Sequence, residues 1–358
     1  MPIIANTIRI FDVFSSIPLR FAKVRHFFLF LHVVRTIAIN VKQNKTIMKK
    51  IFLFIVAAFM SAGVASAQEL NEAITLAKDG NAAFELGEYN LAIEAFTKSL
   101  TIAESIEGEE AANHAGTCKT AICAIYMANS KALLKAGDYD GALAKLNETI
   151  AAAESYNAAE TVASATELIP SVYMAQGNAA LKAKDMAGAI AAYTKVTELN
   201  PANGDAYLRL GRALAASGKV EEAVAAYETA AANGEEKDAK KQLSTLFLKK
   251  AQASLKGGKG QEAIDFAIKS NEYLENANAY NLAAKAAQKL GKNADCIAFY
   301  EKYLALKPNA KDAAGVKFTI AALYQQMGDK AKAVEYYTMV ASDPQFGAGA
   351  QEQLKVLK

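Results

Sequence analysis

Small residues recur along this chain in pairs twelve positions apart, and a large side chain usually follows the second member by four positions. A fixed internal period of this kind predicts a repeat architecture, in which each unit packs mainly on its neighbours. The pairs are Gly80/Ala92, Ser130/Ala142, Gly177/Ala189, Gly211/Ala223, Ala251/Ala263, Ala284/Cys296 and Ala321/Ala333, followed by Phe96, Leu146, Tyr193, Tyr227, Ala267, Tyr300 and Tyr337.

The clearest unit has the pattern of two consecutive amphipathic helices. Tyr207, Leu210 and Leu214 are spaced three and four apart, so they share one helical face. Gly218 then interrupts the pattern, because a helix interior disfavours Gly by about 1 kcal/mol and a tight turn favours it. In the helix that follows, Tyr227 fills the space beside the small residues at the helix crossing. The unit therefore predicts an antiparallel helix pair with a short connection.

This unit resembles a tetratricopeptide repeat, and the resemblance extends over roughly residues 70–358. The matching positions are Tyr207, Leu210, Gly211, Gly218, Ala223, Tyr227 and Ala230, and the turn position recurs at Gly87, Gly137, Gly258, Gly291 and Gly328, with Lys184 as the exception. The resemblance implies an all-α solenoid of about seven antiparallel helix pairs in a right-handed superhelix, closed by a C-terminal capping helix. The repeats are predicted near 73–106, 123–156, 170–203, 204–237, 244–276, 277–310 and 314–347.

Two of the steps between repeats are longer than the others. The second small residues of the first three pairs are separated by 50 and 47 residues, whereas later steps are 33 to 40. The extra segments, around 104–122 and 151–169, are rich in Ala with scattered Glu. Because these residues favour helix, we expect lengthened helices at both places and no long loops.

Residues 48–67 have the three regions of a secretory signal peptide. Lys49 and Lys50 form the basic start, an apolar run follows, and small residues precede a predicted cleavage between Ala67 and Gln68. The apolar run is short for a membrane span, which needs about 20 residues. We therefore expect a periplasmic or secreted protein, with residues 68–358 as the mature solenoid and no stable membrane span after cleavage.

Residues 1–47 precede that segment and show no helical or strand periodicity. We interpret them as a disordered, mis-assigned upstream extension, and the alternative is a transit or anchor segment. They also change the charge argument. The whole chain has a formal charge of +3, but residues 51–358 contain 31 basic and 36 acidic residues. A basic domain that would bind nucleic acid is therefore not expected.

The sequence contains no arrangement of residues typical of catalysis, metal binding or cofactor binding. His114 has neither a nucleophile nor further ligands at a suitable spacing, so we interpret it as a solvated helix residue. The acidic residues around Gly108 are interpreted as solvated. Cys118 and Cys123 are five positions apart; either they are bridged or, as their poor spacing favours, they are packed as small residues. Cys296 stands in a small-residue position and is interpreted in the same way.

Polar residues follow the first small residue of most pairs. In tetratricopeptide repeat proteins the first helices line a concave groove, so the resemblance implies that these residues face it. The predicted groove residues, including two that lie three positions earlier on the same helical face, are Asn81, Lys131, Asn178, Arg209, Arg212, Lys249, Gln252 and Lys285. None is acidic, and amide or cationic donors can hold carboxylates. The alternative is that this column is polar only because it is exposed.

Together these features predict a non-catalytic, protein-binding scaffold of the bacterial cell envelope without a cofactor. The expected partner is a protein or peptide segment, possibly acidic, held in the groove. A glycan- or peptidoglycan-binding component is the alternative, because Tyr173, Tyr207 and Tyr280 would suit a sugar platform if exposed. Their column is a core position of the repeat, however, and burial is the preferred interpretation. An enzyme is a third and weaker alternative.

Overall fold

The computed structural model describes residues 45–357, with side chains from residue 65 onward. Regular structure in this part of the chain is helical, without strands. The α-helices are α1 (Lys45–Glu85), α2 (Tyr89–Ser105), α3 (Glu109–Ala136), α4 (Tyr139–Ser155), α5 (Ala159–Lys182), α6 (Met186–Leu199), α7 (Gly204–Ala216), α8 (Val220–Ala230), α9 (Glu236–Lys256), α10 (Gly260–Tyr273), α11 (Ala277–Lys289), α12 (Asn293–Leu306), α13 (Ala313–Gln326), α14 (Lys330–Val340) and α15 (Gly347–Leu357). Consecutive helices pack as pairs, which confirms the predicted all-α repeat architecture.

The described part of the chain divides into two compact units, and the boundary lies inside α3, between Ile125 and Tyr126. In the first unit, α1 packs against α2. In the second unit the pairs are α5/α6, α7/α8, α9/α10, α11/α12 and α13/α14, and residues 126–136 of α3 precede α4. We call the first member of each pair a first helix and the other a second helix.

The turn within each pair contains one residue in the left-handed region of backbone space. Its φ angle lies between +62° and +84° in all seven turns, and six of these residues are Gly. The seventh is Lys184, the exception expected from the sequence. The left-handed conformation favours Gly because a side chain there costs about 1–2 kcal/mol. The turn positions were therefore predicted correctly.

The small residues lie where paired helices approach each other most closely. A Cβ atom added to Gly211 would lie 2.7 Å from Tyr227 Cδ1, and one added to Gly177 would lie 2.6 Å from Tyr193 Cε1. Both tyrosines are buried. Burial also raises the pKa of Tyr227 to about 12. The aromatic ring therefore occupies the space that the missing side chain leaves, as the repeat pattern predicts.

The two long steps between repeats are helical, as expected. They lengthen the first helices of the second and third pairs, so that α3 has 28 residues and α5 has 24. The connections before them are short and contain Gly108 and Asn157, both with positive φ. The prediction of helix extension is confirmed.

The terminal helix α15 covers the end of the last pair. Ala350 is fully buried, and Leu354 and Leu357 pack against a cluster that includes Tyr337 and Val340. Without α15, this cluster would face water.

The structure describes the predicted signal peptide by its backbone, and its side chains only from residue 65 onward. The backbone of residues 45–85 forms one continuous helix, but residues 1–44, and with them most of the predicted upstream extension, lie outside the described part. None of the described helices is both long and apolar enough to cross a bilayer.

Candidate functional site

The predicted groove residues of the second unit are solvent-accessible on its first helices. Lys131, Asn178, Arg212, Gln252 and Lys285 are all exposed. We define the first-helix face as the exposed surface on which these residues lie. It is formed by α5, α7, α9, α11 and residues 126–136 of α3. Asn81 is exposed on α1, in the first unit.

On α5 and α7, two of the predicted residues contact each other. Arg209 Nη1 donates to Asn178 Oδ1 at 2.9 Å, and Tyr193 Oη donates to the same oxygen at 2.8 Å. Arg209 Nε also pairs with the Asp205 carboxylate at 2.9 Å. This hydrogen bond raises the pKa of Arg209. Because its charge is already partnered, Arg209 orients Asn178 and is less available for a ligand than its position in the sequence suggests.

Arg212 differs from Arg209 in its surroundings. Its side chain is exposed and forms no ion pair with any residue that the structure describes. A free guanidinium can bind a carboxylate through two parallel hydrogen bonds. Arg212 is therefore the better candidate of the two for contact with an acidic ligand.

A cleft on the first-helix face brings together two more of the predicted residues. It has a volume of about 270 Å³, lies between α9 and α11, and is lined by Leu248, Gln252, Asn278, Asn281, Leu282 and Lys285. Gln252 and Lys285 were predicted from the sequence, whereas Asn278 and Asn281 were not. The cleft thus combines amide groups, one ammonium group and two leucine side chains.

Asn281 contributes an unsatisfied acceptor to the residues around this cleft. Its Oδ1 atom is buried without a hydrogen-bond partner, while its Nδ2 donates to Asp312 Oδ2 at 3.4 Å. A buried polar atom without a partner costs about 1–3 kcal/mol.

Charge is divided unequally between the two helices of the fourth, fifth and sixth pairs. The first helices α7, α9 and α11 carry net formal charges of +1, +4 and +2. The second helices α8, α10 and α12 carry −3, −2 and −1. The ion pairs of these helices join residues three or four positions apart in the chain. The basic residues of the first helices are therefore not paired with the acidic residues of the second helices.

Two basic residues of the first-helix face were missed by the sequence reasoning. Lys241 and Lys256 are exposed on α9, seven or eight positions from the predicted Lys249, which is also exposed. Seven residues make about two helical turns, so the three lysines lie on one side of α9. The spacing of seven and eight residues between basic positions is the sequence signal that identifies them.

The interpretation of His114 as a solvated residue is wrong. Its side chain is half-buried, and its Nε2 atom lies 2.8 Å from Ser99 Oγ. Ser99 Oγ donates to the carbonyl oxygen of Ala73 at 2.6 Å, so the histidine donates to the serine. These bonds connect α1, α2 and α3. The sequence could not show them because Ser99 and His114 are fifteen positions apart.

The three cysteines are free and buried. Burial raises the pKa of Cys118 and Cys123, and it raises the pKa of Cys296 to about 11. They act as small packed residues, and the alternative of a Cys118–Cys123 disulfide is wrong. Within residues 65–357, no three His, Cys, Asp or Glu side chains are grouped so that they could hold a metal ion.

The tyrosines considered as a sugar platform are half-buried. Tyr207 packs against the core of the fourth and fifth pairs, and Tyr280 packs against the core of the sixth. Tyr280 Oη also donates to Glu275 at 3.0 Å. Tyr207 and Tyr280 are therefore committed largely to packing, in agreement with the preferred interpretation.

Comparisons with known proteins gave matches to repeat families and to solved structures. A crystal structure of the MamA protein is 22% identical over 51% of this chain and 96% of its own, with a TM-score of 0.33. A structure described as MamA AMB-1 is also 22% identical, over 54% of this chain and 99% of its own, with a TM-score of 0.33. YrrB, whose structure is described as that of a TPR protein with an unusual peptide-binding site, is 18% identical over 51% of this chain and 91% of its own, with a TM-score of 0.30. No curated protein matched the sequence.

Family models give the more specific result. One tetratricopeptide-repeat model matches residues 174–237, and a second matches residues 80–106, 277–310 and 314–339. These stretches coincide with helix pairs in which a small residue faces a large side chain. The chain therefore contains tetratricopeptide repeats in both of its compact units.

Proposed function

We propose that this protein is a non-catalytic scaffold of the cell envelope, and that its first-helix face binds an acidic segment of another protein. The observation that carries this proposal is the separation of charge within the fourth to sixth pairs. The basic side chains on α7, α9 and α11 are exposed except for Arg209 and Lys250, which are half-buried. Arg212 and Lys285 form no ion pair with any described residue. Tetratricopeptide repeats are protein-interaction modules, which sets the kind of partner.

The cleft between α9 and α11 suggests how such a segment is held. Lys285 supplies a cation for a carboxylate, and the exposed Gln252 amide supplies a hydrogen-bonding group for the main chain of a peptide. Leu248 and Leu282 add apolar surface for a neighbouring side chain. An extended peptide with an acidic residue offers all three of these complementary groups.

The envelope location rests on residues 48–67. A basic start, an apolar run and a small-residue cleavage motif favour export, and cleavage would make Gln68 the first residue of the mature protein. Fractionation of source cells followed by N-terminal sequencing tests this step. A mature protein that starts at Gln68 in the envelope fraction supports export, and an uncleaved cytosolic protein contradicts it.

Partner capture with a double charge reversal tests the binding proposal. We expect a protein enriched by the parent chain to be lost with Arg212→Glu/Lys285→Glu and retained with Lys311→Glu/Lys330→Glu. The control pair makes the same charge change at exposed lysines outside the first-helix face. Peptides from the captured protein would then be compared with versions in which Asp and Glu are replaced by Asn and Gln. Equal capture by both double variants, or equal binding of neutral peptides, would contradict the proposal.

A further inference from the structure

A separate cavity lies between α5 and the connection that joins α6 to α7. Its volume is about 580 Å³, within the range of about 300–1,000 Å³ typical of ligand sites. The lining residues are Thr166, Glu167, Pro170, Ser171, Met174, Leu199, Asn200 and Asn203. Only Met174 packs against the core of the third pair, so most of this wall is free of the repeat's own packing.

One wall of the cavity exists because α5 is longer than a first helix of the regular repeat. The helix begins at Ala159, and Pro170 lies inside it where the predicted repeat begins. Proline has no N–H group, so it cannot donate to the carbonyl oxygen four residues earlier. The carbonyl of Thr166 is therefore left without its normal helical partner, in a residue that lines the cavity.

The polar groups on this wall are acceptors that suit a cation. The Glu167 carboxylate lies on this wall with the Ser171 hydroxyl, and both of these residues are exposed. Neither side chain forms a hydrogen bond or ion pair with a described residue. A primary ammonium has three N–H donors and no acceptor, so it complements a carboxylate and a hydroxyl oxygen.

The remaining lining residues suit an alkyl chain and a carbonyl group attached to that ammonium. Met174 is half-buried and Leu199 is 51% exposed, so both offer apolar surface to an alkyl chain. The Asn200 and Asn203 side-chain oxygens accept from Ala202 N at 3.2 Å and Ala206 N at 3.0 Å. Their N–H groups are left as donors for a carbonyl oxygen. A lysine residue provides an ammonium, an alkyl chain and a main-chain carbonyl together.

We propose that this cavity binds a primary alkylammonium group, the group that ends a lysine side chain. The site is separate from the first-helix residues that carry the proposed function, and it selects the opposite charge. Its presence depends on the insertion that lengthens the third repeat.

Methyl NMR of the full chain, labelled with ¹³C at the methionine methyl groups, tests this proposal through Met174. The signal is assigned by its loss in Met174→Leu. Titration with n-butylammonium chloride at constant ionic strength should shift it saturably, with a dissociation constant on the order of 10 mM. n-Butanol has the same chain length without charge and should give no saturable shift. Nα-acetyl-lysine N-methylamide should bind more tightly if a lysine residue is the ligand, whereas equal affinity would indicate a free amine.

Three variants separate the site from nonspecific effects. Glu167→Gln should weaken butylammonium binding about tenfold, and Glu160→Gln, which removes the same charge outside the cavity, should leave it unchanged. Arg212→Glu/Lys285→Glu should not affect the titration, which keeps this test independent of the proposed function. Absence of a saturable shift up to 100 mM, an equal response to butanol, or full binding in Glu167→Gln would overturn the proposal.

Discussion

At the scale of single residues, the repeat depends on the absence of a side chain at each helix crossing. Gly80, Gly177 and Gly211 each lie against an aromatic ring of the second helix at a distance that leaves no space for a Cβ atom. In the other pairs Ala or Ser takes this position, and Ser130 Oγ donates to the carbonyl oxygen of Ala142 at 3.0 Å. The same column is thus filled in different ways, but always by a small residue.

Replacing Gly211 by alanine should therefore destabilise the protein despite alanine's better helix propensity. The new methyl group would meet the ring of Tyr227, which is 2% exposed and belongs to the core of the fourth and fifth pairs. We expect the free energy of unfolding to fall by about 1–3 kcal/mol in urea denaturation. Gly116 provides the matched control, since it is exposed in α3 with no atom within 4 Å of an added Cβ. Gly116→Ala should stabilise by about 0.5–1 kcal/mol, and the same sign for both variants would contradict this account.

The sequence predicts features that follow from local chemistry and misses those that depend on distant contacts. The turn residues, including Lys184 at φ +62°, could be placed because each turn conformation is determined within a few positions. The hydrogen-bond partners of Asn178 could not be predicted in this way. Arg209 reaches Asn178 from the next helix pair, and Tyr193 reaches it from the second helix of its own pair. The free Oδ1 of Asn281 was likewise unpredictable, since it depends on how α11 packs beside its neighbours.

At the scale of elements, the two long first helices show the same contrast between features that local sequence predicts and features that depend on distant contacts. Alanine-rich composition was enough to predict that α3 and α5 are extended. It gave no indication that the extension of α5 forms a cavity with residues 199–203, because that requires the position of the α6–α7 connection. The helix was predictable from its own residues, and the site beside it was not.

The terminal helix α15 provides a prediction at this scale. Leu354→Ala/Leu357→Ala removes two side chains that pack on the cluster around Tyr337. Both leucines are half-buried, so we expect a loss of about 2–4 kcal/mol in the free energy of unfolding for the pair, less than for two fully buried leucines. Glu352→Ala on the exposed side of α15 should change it by less than about 0.5 kcal/mol. A loss in the control as large as in the leucine variant would show that α15 acts through something other than this packing.

At the scale of the whole molecule, the net charge of residues 51–358 and the local charge of the first-helix face give opposite expectations for an acidic partner. Residues 51–358 contain more acidic than basic residues, so the net charge of this part of the chain repels a distant anion. The charge of the first-helix face acts only at short range, because the screening length is about 10 Å at 0.1 M ionic strength. Binding should therefore depend on local side chains rather than on the net charge.

This difference gives a salt-dependent prediction for any acidic peptide that binds the first-helix face. Its association rate constant should fall at least tenfold between about 0.05 and 0.5 M NaCl, because screening weakens the attraction to Arg212 and the lysines of α9 and α11. Lys241→Glu/Lys256→Glu should lower the rate at low salt and flatten its salt dependence, while Lys311→Glu/Lys330→Glu, with an identical change in net charge, should do neither. Stopped-flow measurements of the association rate constant at several salt concentrations compare the two double variants, and so separate an effect of local charge from an effect of net charge. If both double variants change the salt dependence equally, net charge controls association, and the division of charge between first and second helices has no role in binding.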